Sequence, residues 1–413
     1  MYQEQTFVKY VRNPELCTNC QFCTTVVSCP SPQRCIGCSS CYLACPYEAI
    51  EPIKDNSPRK TIRIYVDGKE FHVPEFITVK KALELVGFTF TKFPEKDKFF
   101  SPCETGGCYA CAMIIDGELK PTCHTPVRDG MTIITDISSR EPLRIVKGFQ
   151  PHPVGGVGTP WWVKRKGHYI EVACFAAGCN LRCPQCQNYH ITYDSVTPPM
   201  TPKEAAKMLT YYRRKYGVDR MAISGGEPTL NRRWLIEFFR ELKRLNPDKK
   251  ARLHLDTNTT LLTPDYIDEL IETGVTDIGA DLKALRLETF MFITGITDKN
   301  LAKKYLETSW KAVKYIVDNY YPDKVFLGIG IPYNKAFYPT LDEIYETGRE
   351  IAELDPNIQV VVLDYRPEFR RRNIEYPTVE EMLKVKRILE DAGLNVVIVQ
   401  TRIGHIGPGN IKY

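Results

Sequence analysis

Beyond residue 168 the chain alternates two hydrophobic patterns. Continuous apolar runs near 168–175, 220–224, 251–256, 276–282, 324–331, 358–364 and 395–400 predict buried strands, and the segments between them carry the spacing of amphipathic helices. Thr201-Pro202-Lys203-Glu204, Thr340-Leu341-Asp342-Glu343 and Thr378-Val379-Glu380-Glu381 each place a capping hydroxyl ahead of a glutamate able to cap in return. Gly217, Gly274 and Gly393 stand where a helix ends in a left-handed residue. Strand alternating with helix predicts a parallel sheet with right-handed crossovers. Six or seven units are too few for a closed eight-stranded barrel. An α/β partial (β/α)6 barrel is therefore expected over residues 168–413, with its chemistry at the carboxyl ends of the strands.

The first 140 residues read differently. Residues 1–57 show little periodicity. Residues 58–140 hold short alternating strands, with Asp67-Gly68 and Asp116-Gly117 as hairpin turns. Residues 141–167 are rich in Gly and Pro and read as a linker, in which Trp161-Trp162 is expected to pack between domains. A chain of 413 residues has room for two or three domains. With 43% apolar and 25% charged residues, nothing calls for disorder. A net charge of +5 is small for the length and does not imply nucleic acid. Met1 to Arg12 lack the apolar stretch of a secretory leader, and no run of about 18 apolar residues appears, so the expected location is cytoplasmic with no membrane partner.

Cysteine changes the picture. Of the 16, eight fall within residues 1–57, four within 58–140 and three at 179–186, leaving only Cys174, which reads as a buried small residue. Cysteines two or three residues apart are poor disulfide partners but good ligands around one metal centre. Cys17, Cys20 and Cys23 are followed by Cys29-Pro30, and Cys35, Cys38 and Cys41 by Cys45-Pro46. Each triplet can grip three corners of a cubane cluster, with a fourth thiolate from elsewhere. Structural zinc, which takes cysteines in pairs, does not account for two triplets with trailing Cys-Pro. Cys103, Cys108, Cys111 and Cys123 have plant-type [2Fe–2S] spacing, and Gly106 and Gly107 would let the backbone wrap closely. Cys179-x3-Cys183-x2-Cys186 follows the first barrel strand. Three thiolates leave one iron of a [4Fe–4S] cluster open, as a catalytic zinc site keeps an open position. The expected complement is three [4Fe–4S] clusters and one [2Fe–2S] cluster.

These motifs resemble known families. Residues 1–57 resemble the bacterial-type two-cluster ferredoxins, in which the Cys-Pro thiolate serves the other cluster. That resemblance groups Cys17, Cys20, Cys23 and Cys45 around one [4Fe–4S] cluster and Cys35, Cys38, Cys41 and Cys29 around the second. Residues 60–136 resemble the β-grasp [2Fe–2S] domain of several large redox enzymes. The Cys179–Cys186 stretch, with Ser224-Gly225-Gly226-Glu227-Pro228 at the end of the second strand, resembles the radical S-adenosylmethionine (SAM) superfamily. The resemblance implies that SAM chelates the open iron, that one electron breaks its sulfonium bond, and that a 5′-deoxyadenosyl radical takes a hydrogen atom from the substrate. It sets SAM against Gln185, Gln187, Gly225, Gly226, Glu227 and Pro228.

Within that superfamily the likeness is to the pyruvate formate-lyase-activating group, on Leu255-Asp256-Thr257-Asn258, Asp281-Leu282-Lys283 and Gly295. It implies a monovalent cation held by Asp256, Thr257 and Asp281, with Asp281 and Lys283 at the carboxylate end of SAM. Arg366 stands where the group often has a histidine near the nucleoside. Two features depart from the group: Gln185 replaces an aromatic residue beside the adenine, and the extra clusters precede the barrel.

The expected function is therefore an activase-like enzyme acting on a protein or peptide, fed by an external low-potential electron donor. A small molecule, lipid or RNA is the alternative substrate class. A non-catalytic electron-transfer subunit would suit the first 140 residues, but a wire needs no cofactor pocket. The basic stretch Arg366 to Arg372 and the Gly-rich tail Thr401 to Asn410 are expected to be surface loops.

Overall fold

The computed structural model describes residues 6–164 and 168–412; residues 1–5, 413 and 165–167, the last of the expected linker, lie outside. The chain divides into two compact units. The first runs to Val146 and includes Ala176–Asn180 and Asn188–Thr201; the second holds Lys147–Phe175, Leu181–Gln187 and the chain from Pro202. Among the described residues no helix is long and apolar enough to cross a membrane.

The first unit opens with strands β1 (Phe7–Arg12) and β2 (Ile50–Asp55), paired antiparallel with Phe7 opposite Asp55. Two short helices, Phe22–Thr25 and Ser40–Ala44, and eight cysteines lie between them. The apolar core here is small: Cys45, Ala49 and Ile50, packed by Tyr10, Tyr47, Cys17, Cys23 and Cys41. A segment this short needs metal or disulfides to hold its shape.

Next come β3 (Thr61–Val66), β4 (Lys69–Pro74), β5 (Phe90–Thr91), β6 (Phe99–Phe100), β7 (Ala112–Ile115), β8 (Glu118–Pro121) and β9 (Met131–Ile134). Five of them form a sheet in the order β4-β3-β9-β7-β8, in which β3 and β9 are parallel. Ile64, Val66, Val73, Leu83, Met113 and Met131 fill its core. Both Asp-Gly pairs have positive φ at each residue, as two-residue hairpin turns require.

The second unit is one sheet of nine strands in chain order: β10 (Val146–His152), β11 (Glu171–Ala176), β12 (Arg220–Gly225), β13 (Arg252–Thr257), β14 (Asp277–Asp281), β15 (Phe326–Tyr333), β16 (Gln359–Asp364), β17 (Val397–Thr401) and β18 (Gly404–Ile406). β12 to β17 run parallel, and β18 folds back antiparallel on β17. The expected six or seven strands thus become nine. β10 comes from the presumed linker, where Gly148 and Pro151 obscure the pattern; proline is tolerated there because an edge strand has one unpaired side. β18 comes from the tail expected to be a surface loop.

The rest of the presumed linker is a plug. Val157 packs with Val361 and Ile398. The Gly156 and Thr159 donors reach Glu171 at 3.1 and 3.0 Å, Arg220 donates to Gly158 O at 3.1 Å, and the Gln359 amide donates to Val157 O and Thr159 O at 3.0 Å each. Three strand glycines make room: a Cβ on Gly328 would stand 2.2 Å from Val157 O, one on Gly279 2.6 Å from Gly158 N, and one on Gly330 3.1 Å from a Val157 methyl. The segment therefore touches every strand from β11 to β17. Seven strands laid flat would span about 29 Å, whereas four residues reach at most ~14 Å, so the sheet curls around the plug. Trp161 and Trp162 continue it. Trp162 stands edge-on to Phe326 of the same sheet and is 58% exposed, so the pair packs on the sheet rather than between domains.

Candidate functional site

The eight cysteines of the first segment gather into two groups. Cys17, Cys20, Cys23 and Cys45 line one cavity of about 280 Å³ with Arg12, Pro46 and Ile50. Cys29, Cys35, Cys38 and Cys41 are electrostatic neighbours of one another, and burial pushes the Cys41 thiol up to about 12. Each trailing Cys-Pro thiol thus stands with the other triplet. Backbone N–H groups already point at sulfur: Tyr10 and Gly37 donate to Cys35 Sγ at 3.4 Å, and Ala49 donates to Cys45 Sγ at 3.3 Å. Such donors stabilise thiolate and tune cluster potential. Asn19, Gln21, Ser28 and Ser39 take positive φ, which turns the loops around the sulfurs.

Cys103, Cys108, Cys111 and Cys123 are all buried. Cys103 and Cys108 sulfurs are 3.0 Å apart, and Cys123 stands within hydrogen-bonding reach of both Cys103 and Cys111. Four thiols converging in a buried pocket fit a small cluster whose metals replace their protons.

Cys179, Cys183 and Cys186 occupy the loop after β11, Cys179 on the stretch counted with the first unit and the other two with the second. In the second unit, the loop 181–187 is held from three sides. Arg182 N donates to Thr294 O at 2.8 Å, where Gly295 (φ +69) leaves no Cβ to block the approach. Pro184 O accepts from Arg370 N and Arg371 N at 2.9 and 3.0 Å. Gln185 is buried, donates to Ile293 O at 2.9 Å and accepts from Arg371 at 3.1 Å. Gln187 donates to Asp364 O at 3.4 Å.

Glu227 is fully buried at the end of β12. Its carboxylate accepts from Thr229 N and Oγ1, Thr257 Oγ1 and Asn258 N, all within 2.9 Å, and so ties β12 to β13. Burial raises its carboxyl above the ordinary range against these donors. Gly225 ends β12 with φ +124, Gly226 is partly exposed, and Pro228 opens a 3₁₀ turn. The three groups expected to share a monovalent cation each have other company. Asp256 accepts from His254 at 3.0 Å, Thr257 donates to Glu227, and Asp281 pairs with the Lys283 ammonium at 2.9 Å. Lys283 is buried and also donates to Tyr365 at 3.0 Å. Burial opposes its charge, yet Asp281 holds it well above the ordinary range. Low-polarity surroundings push the Cys183 thiol up to about 12, against the pull of Lys283 and Arg371.

Residues 174–344 match the radical SAM superfamily, residues 59–137 the 2Fe-2S iron-sulfur cluster binding domain and residues 29–51 the 4Fe-4S binding domain. Residues 174–344 are thus a radical SAM domain. The chain is 34% identical over 134 residues to a probable GTP 3′,8-cyclase of Methanococcus aeolicus, covering 32% of this chain and 43% of the relative. It is 34% identical over 110 residues to a putative glycyl-radical enzyme activating enzyme of Methanocaldococcus jannaschii, covering 26% and 41%. The matches thus span about two-fifths of each relative's own length. Among solved structures, Streptococcus suis SuiB bound to its precursor peptide aligns with TM-score 0.40 at 18% identity, over 52% of this chain and 43% of that one.

Three residues of the second unit escaped the sequence reading. Arg371 lies in the stretch expected to be solvated, yet its guanidinium stacks 3.8 Å from the Phe292 ring while holding Gln185. Gln185 is therefore part of a polar lock on the loop, in the place where an aromatic was expected. Tyr365 carries the Lys283 contact. Asp364 is buried at the end of β16 with Oδ1 unpaired, and burial raises its carboxyl with Arg366 as the opposing charge. Local sequence flags neither Arg371 nor Tyr365, because each acquires its partner across more than 50 residues.

Proposed function

We propose that this protein binds SAM at a [4Fe–4S] cluster held by Cys179, Cys183 and Cys186 and takes a hydrogen atom from a protein or peptide substrate. The observation that carries the reading is the three-thiolate loop directly after β11, with Glu227, Lys283 and Asp364 at the carboxyl ends of the alternate parallel strands β12, β14 and β16. The cluster, when bound and reduced, supplies the electron that cleaves SAM to methionine and a 5′-deoxyadenosyl radical. The chain's own groups do the positioning. Lys283, charged and buried beside Asp281, would bind the SAM carboxylate. Gly225 and Gly226 let the strand-end backbone approach the methionine amine. Asp364 offers an unpaired carboxylate oxygen to a ligand hydroxyl or amine. Arg371, Gln185 and the Pro184 carbonyl keep the loop from shifting. The cysteines of residues 17–45 and 103–123 would hold clusters able to relay electrons from an external low-potential donor.

The activating-enzyme relative favours a protein or peptide substrate. A small, nucleotide-like substrate is the second reading, favoured by the cyclase relative. Anaerobic reduction with dithionite in the presence of SAM should release 5′-deoxyadenosine. None from intact protein with all clusters verified by iron content and EPR would end the proposal.

A further inference from the structure

Two glycines press two cysteine loops together. A Cβ on Gly178 would stand 2.7 Å from Cys108 Cβ and 3.2 Å from Cys103 Cβ, and Gly178 has φ +84. A Cβ on Gly107 would stand 2.8 Å from Ala177 Cβ and 2.6 Å from Asp194 O. Gly178 precedes Cys179 and Gly107 precedes Cys108. The joint is also hydrogen-bonded. Ile145 N donates to Gly107 O at 3.1 Å, Ala177 N to Ile145 O at 2.9 Å, Gly178 N to Thr192 O at 2.9 Å, and buried Arg144 to Ala177 O at 3.0 Å. All these residues lie in the first compact unit.

The other side of the Cys103–Cys123 centre is joined to the second cubane group. Ser40 lies between Cys38 and Cys41, and its hydroxyl donates to Glu104 O at 3.1 Å and stands 2.9 Å from His124 Nδ1. Glu104 and His124 directly follow Cys103 and Cys123. Cys41 in turn packs against the same Cys45–Ala49–Ile50 core as Cys17 and Cys23 of the first group. These contacts run from 17/20/23/45 through 29/35/38/41 and 103/108/111/123 to Cys179; the Phe22 ring, beside Cys23, also stands 5.2 Å from Tyr189, three residues beyond Cys186, but that meeting is between side chains and not between cysteine-bearing backbones. Cys20 and Cys29 are exposed, whereas all four cysteines of the third group are buried.

We propose that the Gly178–Cys108 contact is the junction through which electrons reach the Cys179 loop, so that the Cys103–Cys123 centre, and neither cubane group, is the immediate donor. The proposal rests on the reading of Cys179, Cys183 and Cys186 as the SAM cluster. Tunnelling rates fall steeply with separation, and backbone contact without side chains is the closest approach two loops can make. The balance is one electron per SAM cleaved, taken from an external low-potential protein donor at the exposed end, with no net change in the intervening centres.

Two measurements on the full-length, anaerobically reconstituted protein test this. After complete reduction, the EPR signal of the Cys103–Cys123 centre should be broadened by spin coupling to the SAM cluster, and should sharpen in Cys183→Ala/Cys186→Ala. A signal equally sharp in both proteins overturns the junction. With reduced ferredoxin as donor, rapid-freeze EPR should show the SAM cluster reduced in the wild type and unreduced in Cys111→Ala/Cys123→Ala. Deazaflavin photoreduction should still reveal the SAM cluster in that variant. Reduction by ferredoxin at the wild-type rate would overturn the proposal. If that variant fails to fold, Gly178→Ala, which must push the loops apart, should weaken the broadening at unchanged iron content; undiminished broadening there counts against the junction. Photoreduced wild type that yields no 5′-deoxyadenosine sinks the SAM-cluster reading itself, separately from the coupling result.

Discussion

His254 reports on the plug through pH. It is fully buried on β13, with Nδ1 3.2 Å from Glu171 Oε2 and Nε2 3.0 Å from Asp256 Oδ1. A neutral imidazole can donate from one nitrogen only, and two carboxylates ask for two donors, so the ring is an imidazolium. Burial opposes that charge, but Asp256 and Glu171 outweigh it and raise the ring from 6.5 to about 9. Glu171, despite burial, is held well below its ordinary range by His152, His254 and Arg220. A group raised in the folded state contributes stability that is fully present below its unfolded value of 6.5 and is lost as pH climbs through about 9. At ~1.36 kcal/mol per pH step the contribution is about 3 kcal/mol. Lys164, in the same network, runs the other way: burial lowers it from 10.5 to about 8, so its part of the stability grows above that pH. Comparing the wild type with His254→Gln leaves Lys164 in both proteins and isolates the histidine. Urea midpoints followed by tryptophan fluorescence, from pH 6.5 to past 9, should show the advantage of the wild type shrinking by about 3 kcal/mol. Parallel curves for the two proteins would mean that His254 is not charged, and the reasoning would fail.

Other outcomes follow from the same geometry. Glu227→Ala strands the donors of Thr229, Thr257 and Asn258 and should cost about 3 kcal/mol or more in urea unfolding; a loss below ~1 kcal/mol contradicts the tie between β12 and β13. Gly328→Ala drives a methyl toward the Val157 carbonyl and should lower stability by about 1–3 kcal/mol in thermal unfolding, with cluster content unchanged. Asp364→Asn should weaken SAM binding about tenfold or more in calorimetric titration of the reconstituted protein, since a charged acceptor contributes ~1.5–3 kcal/mol; an unchanged Kd removes Asp364 from the site. Cys29→Ala should perturb the EPR and Mössbauer signature of the cluster shared with Cys35, Cys38 and Cys41 and leave the Cys17 cluster intact; loss of the Cys17 cluster instead would reverse the assignment.

What the sequence by itself determined is what depends on neighbours along the chain. Cysteine spacing gathered the thiols in threes, because one short loop can grip three corners of a small centre, while the fourth ligand of each cubane group came from the ferredoxin resemblance. Apolar runs located β11 to β17 within a few residues, because buried parallel strands are hydrophobic on both faces. The left-handed helix ends at Gly217, Gly274 and Gly393 were equally legible, each with positive φ. The Thr378 capping box forms with both bonds, whereas at Thr340 the hydroxyl turns to Asp342 and the helix starts two residues later. Only the tertiary structure decided what residues 153–159 do. Glycine and proline look the same in a linker and in a plug; what separates them is that Gly279, Gly328 and Gly330, more than 100 residues away, leave space for that backbone. The same holds for Arg371 on Gln185, Tyr365 on Lys283 and Gly178 on Cys108, since long-range packing partners carry no local signature.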